Sequence, residues 1–241
     1  MTPEQLTASL RQRCGSQLVS VMLFGSAAAG DHLPGQSDYN VLVVLDRLGP
    51  QELEALTDLT RSWVRAGNRP PLLFTREELV RSGEVYSIEI ADMKDSRQVL
   101  FGEDVIAPLS VNPGDLRRQL EYELRSRLAK LRTGYMQLRR DRRKTLQLMT
   151  RSLSTFLVLF RAALRVYQPH VPQKKFEALE ALARHVSMRT DVFHQVAQLK
   201  TSRGAGRVDH VALMRDYVQA IESIVQAVDT ALHPVDERRT A

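Results

Sequence analysis

Over the first 110 positions, apolar residues come in short runs separated by stretches of helical spacing. Leu18 to Phe24 (LVSVMLF) and Val41 to Leu45 (VLVVL) read as buried strands. Pro71 to Phe74 and Tyr86 to Ile90 are weaker strand candidates. Thr2-Pro3 supplies an N-cap and a first-turn proline for a helix running to about Arg13. Gly49-Pro50 opens a second helix, about Gln51 to Ala66, with Leu53, Leu56, Leu59, Trp63 and Val64 on one face. Strands alternating with helices predict an α/β domain.

The pattern changes at Asn112-Pro113. Leu116, Leu120, Leu124, Leu128, Leu131 and Tyr135 continue at helical spacing, with Asn112 placed to cap and Pro113 at the first helical position. Further helices are expected over about Thr145 to Val166, Gln173 to Val186, Asp191 to Thr201 and Val208 to Leu232. Pro169 and Pro172 break the chain between two of them, Ser202 to Gly206 reads as a loop, and the tail after Pro234 is expected to fray. Short connections between such helices predict a bundle. The expected fold is therefore α+β, with an α/β domain over residues 1–110 around a short mixed sheet and a helical bundle over 113–235. No internal repeat or low-complexity segment is visible.

Composition adds limits. The 241 residues are 43% hydrophobic and 26% charged, which excludes wholesale disorder. Lys plus Arg number 34 against 28 Asp plus Glu, a net charge of +6, and 28 of the cations are arginine. The planar guanidinium suits phosphate and carboxylate, so a pI near 9.7 permits a nucleotide, a nucleic acid or an acidic protein as partner. Cys14 is the one cysteine, which excludes an intrachain disulfide and any zinc site built from several thiolates. No apolar run approaches the ~20 residues of a membrane span, and the first residues lack the basic and apolar parts of a signal peptide. A cytoplasmic protein is expected.

The segment with chemistry is Leu23 to Leu45, LFGSAAAGDHLPGQSDYNVLVVL. A strand ends at Gly25-Ser26, followed by a turn and helix start in small residues (Ala27, Ala28, Ala29, Gly30) and a Pro-Gly loop. Ser37-Asp38-Tyr39-Asn40 then opens the second strand. Gly25 lets backbone approach a ligand, and Ser26 offers a hydroxyl and an N–H where anions are favoured. Asp38 and Asn40 lie two apart at a strand start, so their side chains share a face and bring two oxygens to one place, as a Mg²⁺ site requires.

Gly25-Ser26, the step from Ser26 to Asp38, Ser37 before Asp38 and the apolar strand after Asn40 resemble the nucleotidyltransferase superfamily of DNA polymerase beta, kanamycin nucleotidyltransferase and the minimal nucleotidyltransferases. The resemblance is closest over residues 16–45 and extends to about 110. It implies binding of a nucleoside triphosphate with Mg²⁺ in the cleft between the domains. Gly25, Ser26 and Ser37 would bind the nucleotide, and Asp38 and Asn40 the metal. It also implies a third carboxylate on a later strand. Pro71 to Phe74 contains none, which leaves Glu89, in the strand-like Ser87-Ile88-Glu89-Ile90, or Asp92 as third ligand or general base. Asn40 stands where the family has its second carboxylate, and an amide oxygen brings no charge. Two readings follow: a nucleotide-binding protein whose transfer is weakened or lost, or an active enzyme moving a nucleoside monophosphate to a hydroxyl of a small molecule, protein or RNA.

Other features have plainer readings. Arg117, Arg118, Arg125, Arg127, Arg132 and the run Arg139 to Lys144 (RRDRRK) suit a triphosphate or RNA surface, or simply a solvated helix face. Arg189 to His194, Arg165 to His170 and Arg203 to His210 fit the Arg–His spacing of HEPN ribonuclease domains. About two such matches arise by chance among this many arginines and histidines. Cys14 reads as a structural thiol.

Overall fold

The computed structural model describes residues 1–25, 27–28, 30, 39–201 and 208–232. Ser26, Ser37, Asp38, the expected 202–206 loop and the tail after Pro234 lie outside the described residues. The chain divides into two compact units, 1–116 and 117–241, with the boundary inside a long helix.

The first unit opens with α1 (Pro3–Cys14), fixed at its start by a capping box between Thr2 and Gln5. Then come β1 (Leu18–Phe24), β2 (Asn40–Leu45), α2 (Pro50–Arg65), β3 (Leu72–Thr75), α3 (Arg76–Arg81), α4 (Ser87–Asp95) and β4 (Arg97–Gly102). The sheet has the order β3-β2-β1-β4, with β1 antiparallel to both β2 and β4 and with β2 parallel to β3. Both faces of β1 and β2 are covered, which explains their near-continuous apolar runs. Val21, Leu23, Val41, Val43 and Leu45 pack with Leu6 and Leu10 of α1 and with Leu56, Leu59 and Trp63 of α2. Met22, Leu42 and Val44 face the other way, onto Leu79 of α3, Met93 of α4, Val105 and Ile106. Gly102, at φ +75°, lets β4 pass so close to β1 that a Cβ there would lie 1.9 Å from the Val19 carbonyl oxygen.

Four expectations change. Tyr86–Ile90 is not a strand: Ser87–Asp95 is a helix, and the strand lies further on, at Arg97–Gly102. Ser87, Ile88, Ile90, Ala91, Asp92 and Met93 are all buried. That near-continuous burial suits a helix enclosed on several sides, whereas a strand with one covered face would alternate. Ser87 Oγ also donates to the Gly83 carbonyl at 2.6 Å, closing the turn before the helix. Helix α3 was not expected, although Thr75 and Glu78 form a reciprocal capping box. Ala27, Ala28 and Gly30 lie in turns rather than in a helix start. On α2 the buried face is narrower than its spacing implies, because Leu53 and Val64 are exposed.

Five helices follow, α5 (Pro113–Leu138), α6 (Arg142–Tyr167), α7 (Lys175–Leu182), α8 (Asp191–Thr201) and α9 (His210–Leu232). In the second unit α6 is central, with α7, α8 and α9 against it. Its core is aromatic: Phe156, Phe160, Phe193 and Tyr217 are fully buried and meet at ring separations of 5.2 to 6.1 Å. The Tyr217 hydroxyl pairs with Ser152 Oγ at 3.1 Å, and burial pushes its pKa far up. Buried Arg161 donates to the Gln173 carbonyl at 2.8 Å. Among the described residues, no helix is long and apolar enough to cross a membrane.

Candidate functional site

Phe24, the last residue of β1, lies opposite Asn40 on β2 and Arg97 on β4, so one end of the sheet gathers Gly25, Asn40 and Arg97. Gly25 turns the chain away at φ +75°, a conformation that disfavours any side chain. The Asn40 side chain lies against this turn: a Cβ on Gly25 would sit 3.0 Å from Asn40 Nδ2. The structure thus brings two of the expected site residues together, and position 40 faces the glycine turn. The entry to β2 is held from α2 and the turn that follows it. The Tyr39 N–H donates to Asn68 Oδ1 at 3.4 Å, and the Tyr39 ring lies 6.1 Å from that of Trp63.

Helix α4 is tied to the same end. Ser96 Oγ donates to the Gly25 carbonyl at 3.4 Å. Arg97 Nε donates to both oxygens of Asp104, at 3.0 and 2.9 Å, while its Nη1 donates to the Met93 and Lys94 carbonyls at the end of α4. Such a cation on the last carbonyls satisfies acceptors that a helix leaves open. Hydrogen bonding from Arg97, joined by the backbone N–H groups of Ala107 and Ile106, holds the Asp104 carboxyl below the usual range against a smaller opposing effect of burial.

Glu89 and Asp92 ride on α4. Glu89 is half-buried and Asp92 buried. Three residues apart on a helix they share a face, about 5–6 Å apart at Cβ. The expected strand position of Glu89 is thus replaced by a helical pair. None of the four strands (LVSVMLF, NVLVVL, LLFT, RQVLFG) contains an acidic residue. Among the described residues, no three of His, Cys, Asp and Glu are grouped to hold a metal ion.

A cavity of about 1040 Å³ lies where β2 and β3 finish, lined by Asp46, Arg47, Glu52, Thr75, Arg76 and Arg81 among others. Its arginines are engaged in pairs, Arg47 with Glu52, Arg76 with Glu103 and Arg81 with Glu77. It is remote from the Gly25 turn, which sits at the opposite end of β1 from Leu18 and its partner Leu45. In the second unit, His194 bonds Glu180 at 2.8 Å and stacks on Phe176, while Arg189 pairs with Asp191 and Asp216. These contacts give the Arg189–His194 spacing a structural explanation. Cys14 is half-buried, and burial raises its thiol pKa.

Comparison with known proteins falls on the unit that carries the Gly25 turn. Residues 4–95 match the family model described as a nucleotidyltransferase domain. Residues 4–95 are a nucleotidyltransferase domain. No curated protein matches the sequence. Among solved structures, the chain is similar to spectinomycin adenyltransferase AAD(9) from Enterococcus faecialis, crystallised with ATP and spectinomycin. That similarity is 15% in identity, with a TM-score of 0.60 over 94% of this chain and 98% of that one. A nucleotidyltransferase-like protein from Exiguobacterium sibiricum 255-15 aligns over 100% of this chain and 81% of its own, at 14% identity and a TM-score of 0.39. At these identities the first likeness extends the shared fold beyond the nucleotidyltransferase domain into the helical part of the chain.

Proposed function

We propose that the protein binds a Mg²⁺–nucleoside triphosphate at the Gly25 turn of its nucleotidyltransferase domain, and that Asn40 leaves nucleotidyl transfer weak or absent. The observation that carries this reading is the Asn40 side chain lying against Gly25. An uncharged amide occupies the place where a carboxylate would help neutralise metal. The absence of any acidic residue from the four strands supports the same conclusion.

The donor chemistry fits one metal better than two. Mg²⁺ keeps several waters and is commonly held by one or two carboxylates together with substrate phosphates. Asp38 and the Asn40 amide suit an ion that arrives on the triphosphate. A pair of metals about 4 Å apart needs more carboxylate charge, and none of the four described strands carries any. Bound there, Mg²⁺ would neutralise phosphate charge. Gly25 and Ser26 would receive the phosphates, with Ser37 beside them. The likeness to an adenyltransferase crystallised with ATP supports ATP as the first nucleotide to test.

One observation favours the active alternative. The residue that ends α4, Ser96, is bonded to the Gly25 turn, and the helix carries Glu89 and Asp92. Either carboxylate would then accept the proton of an acceptor hydroxyl as its oxygen bonds the α-phosphorus and pyrophosphate leaves.

The test is labelled ATP, GTP, CTP and UTP with Mg²⁺ or Mn²⁺, read both as equilibrium binding and as pyrophosphate release. Saturable Mg–ATP binding without pyrophosphate above background is the expected result. Release at an enzymatic rate would favour the active alternative, and absence of binding to any of the four would overturn both.

A further inference from the structure

The second unit departs sharply from the first in charge. Residues 1–116 contain 10 Lys and Arg against 16 Asp and Glu, a net −6, whereas residues 117–241 contain 24 against 12, a net +12. Much of that positive charge is paired. Arg125 meets Asp229 and Glu121, Arg127 meets Glu123, and Arg132 meets Glu222. The pairs from α5 to α9 repeat every seven residues, Arg125–Asp229 and then Arg132–Glu222, each at 2.7 Å. One more step of seven falls on Arg139 and Arg215, two cations. Arg215 instead pairs with its neighbour Asp216. The ladder of compensated charge therefore ends at the α5–α6 connection.

That connection and the first turn of α6 hold Arg139, Arg140, Asp141, Arg142, Arg143 and Lys144. Asp141 is committed to capping α6, accepting from the Lys144 N–H at 2.9 Å and pairing with the Lys144 ammonium at 3.3 Å. Among the described residues, Arg139, Arg140 and Arg143 make no ion pair, and all three are exposed. Beside them is a cavity of about 540 Å³ lined by Met136, Gln137, Arg139, Arg140, His210 and Val211. Met136 is 77% exposed, and His210 Nε2 lies 3.3 Å from the Arg139 carbonyl.

We propose that the α5–α6 tip, with the adjoining cavity at His210, is a binding site for single-stranded RNA. Three unpaired guanidinium groups fit phosphodiester oxygens better than an equal number of ammonium groups would, through their bidentate geometry. The cavity has room for one base splayed from an unstacked strand, with the Met136 thioether against its face. A duplex cannot deliver such a base without unpairing it. Gln137 and His210 add hydrogen-bonding groups suited to a base edge or a ribose 2′-hydroxyl, which selects RNA over DNA. A lipid surface fits less well, since Met136 alone among the tip residues is a large exposed apolar group and membrane-surface helices need a whole apolar face.

The test uses the full chain and a fluorescent 20-nucleotide oligouridylate, with binding measured against salt. With three phosphates neutralised, affinity should fall about twenty-fold between roughly 50 and 200 mM NaCl. The triple variant Arg139→Gln/Arg140→Gln/Arg143→Gln should bind at least about ten-fold more weakly at low salt and show a salt slope shallower by about two. Arg61→Gln/Arg65→Gln/Arg81→Gln removes the same charge from exposed positions of the first unit and should bind as the parent does. Crosslinks from RNA containing 4-thiouridine should map to residues 136–144 or 210–211 of the unmodified chain, a readout that needs no variant. Parental binding by the tip variant, equal loss in the control variant, or crosslinks elsewhere would overturn the proposal. So would equal affinity for oligothymidylate or for duplex RNA, or binding only to phosphatidylserine vesicles.

Discussion

The first unit buries aliphatic side chains on both faces of a four-stranded sheet and carries excess negative charge, while the second gathers helices around the aromatic core of α6 and carries excess positive charge. A triphosphate approaching the first unit gains nothing from its net charge. Its binding there has to come from local features, the Gly25 turn and a metal that lowers the ligand's own charge. A polyanion approaching the second unit is drawn by the field of many arginines, and precise geometry matters less. The two kinds of binding should therefore respond differently to salt, steeply for RNA and shallowly for Mg–ATP.

The largest expected effect comes from exchanging the same residue in each unit. Gly102→Ala places a Cβ against the Val19 backbone at 1.9 Å and strains φ, and should cost more than about 3 kcal/mol in urea unfolding. Gly134→Ala, inside α5, puts its Cβ 3.2 Å from a Leu148 methyl that can shift, and gains helix propensity. It should change stability by less than about 1 kcal/mol. Equal effects at the two positions would break the contrast between a close backbone approach in the first unit and a yielding side-chain contact in the second.

A middle-sized effect is expected where α4 is anchored. Asp104→Asn removes the carboxylate that Arg97 grips and should cost about 1–2 kcal/mol at neutral pH. Because the folded-state pKa is depressed, the carboxylate's contribution is present above its ordinary value of 3.8 and is lost as pH falls through the lower folded value. The stability gap between parent and variant should thus narrow as pH drops below 3.8. A gap that stays constant down to pH 2 would show that charge is not what holds this corner.

The smallest effect is the most informative about chemistry. Asn40→Asp is nearly isosteric and should cost about 1 kcal/mol or less without metal, through repulsion from Asp38. Added Mg²⁺ should raise its melting temperature more than the parent's, and Mg–ATP should bind it more tightly. Identical melting responses to Mg²⁺ would show that position 40 does not face a metal.

Legibility in the sequence followed burial. The runs Leu18–Phe24 and Val41–Leu45 read correctly because both faces of those strands are covered, and helix starts read correctly where Thr2-Pro3 and Gly49-Pro50 marked them. The pairing of Gly25 with Asn40 was foreshadowed by motif spacing alone. Glu89 reads as a strand residue because Ser-Ile-Glu-Ile alternates over four residues, too short a window to expose the helical burial that continues through Met93. Strand β4 is hard to see in the sequence because it is an edge strand with Gln98 and Val99 exposed, which leaves only a short apolar run. The ion pair beside the end of α4 joins residues seven apart through a turn, a relation no periodicity reveals.

The order of β1 in the sheet has a consequence for how the chain is made and cut. Strand β1 is synthesised early and lies inside the sheet, yet its β4 partner arrives more than 70 residues later. At about 5–20 residues per second, one edge of LVSVMLF stays open for roughly 4–15 s during translation. An apolar strand with an open edge invites pairing with a neighbouring chain. The segment 4–95 that defines the nucleotidyltransferase domain ends just before β4 begins at Arg97. A fragment trimmed to that segment would carry the open edge permanently, so a domain prepared for biochemistry has to extend at least through Gly102.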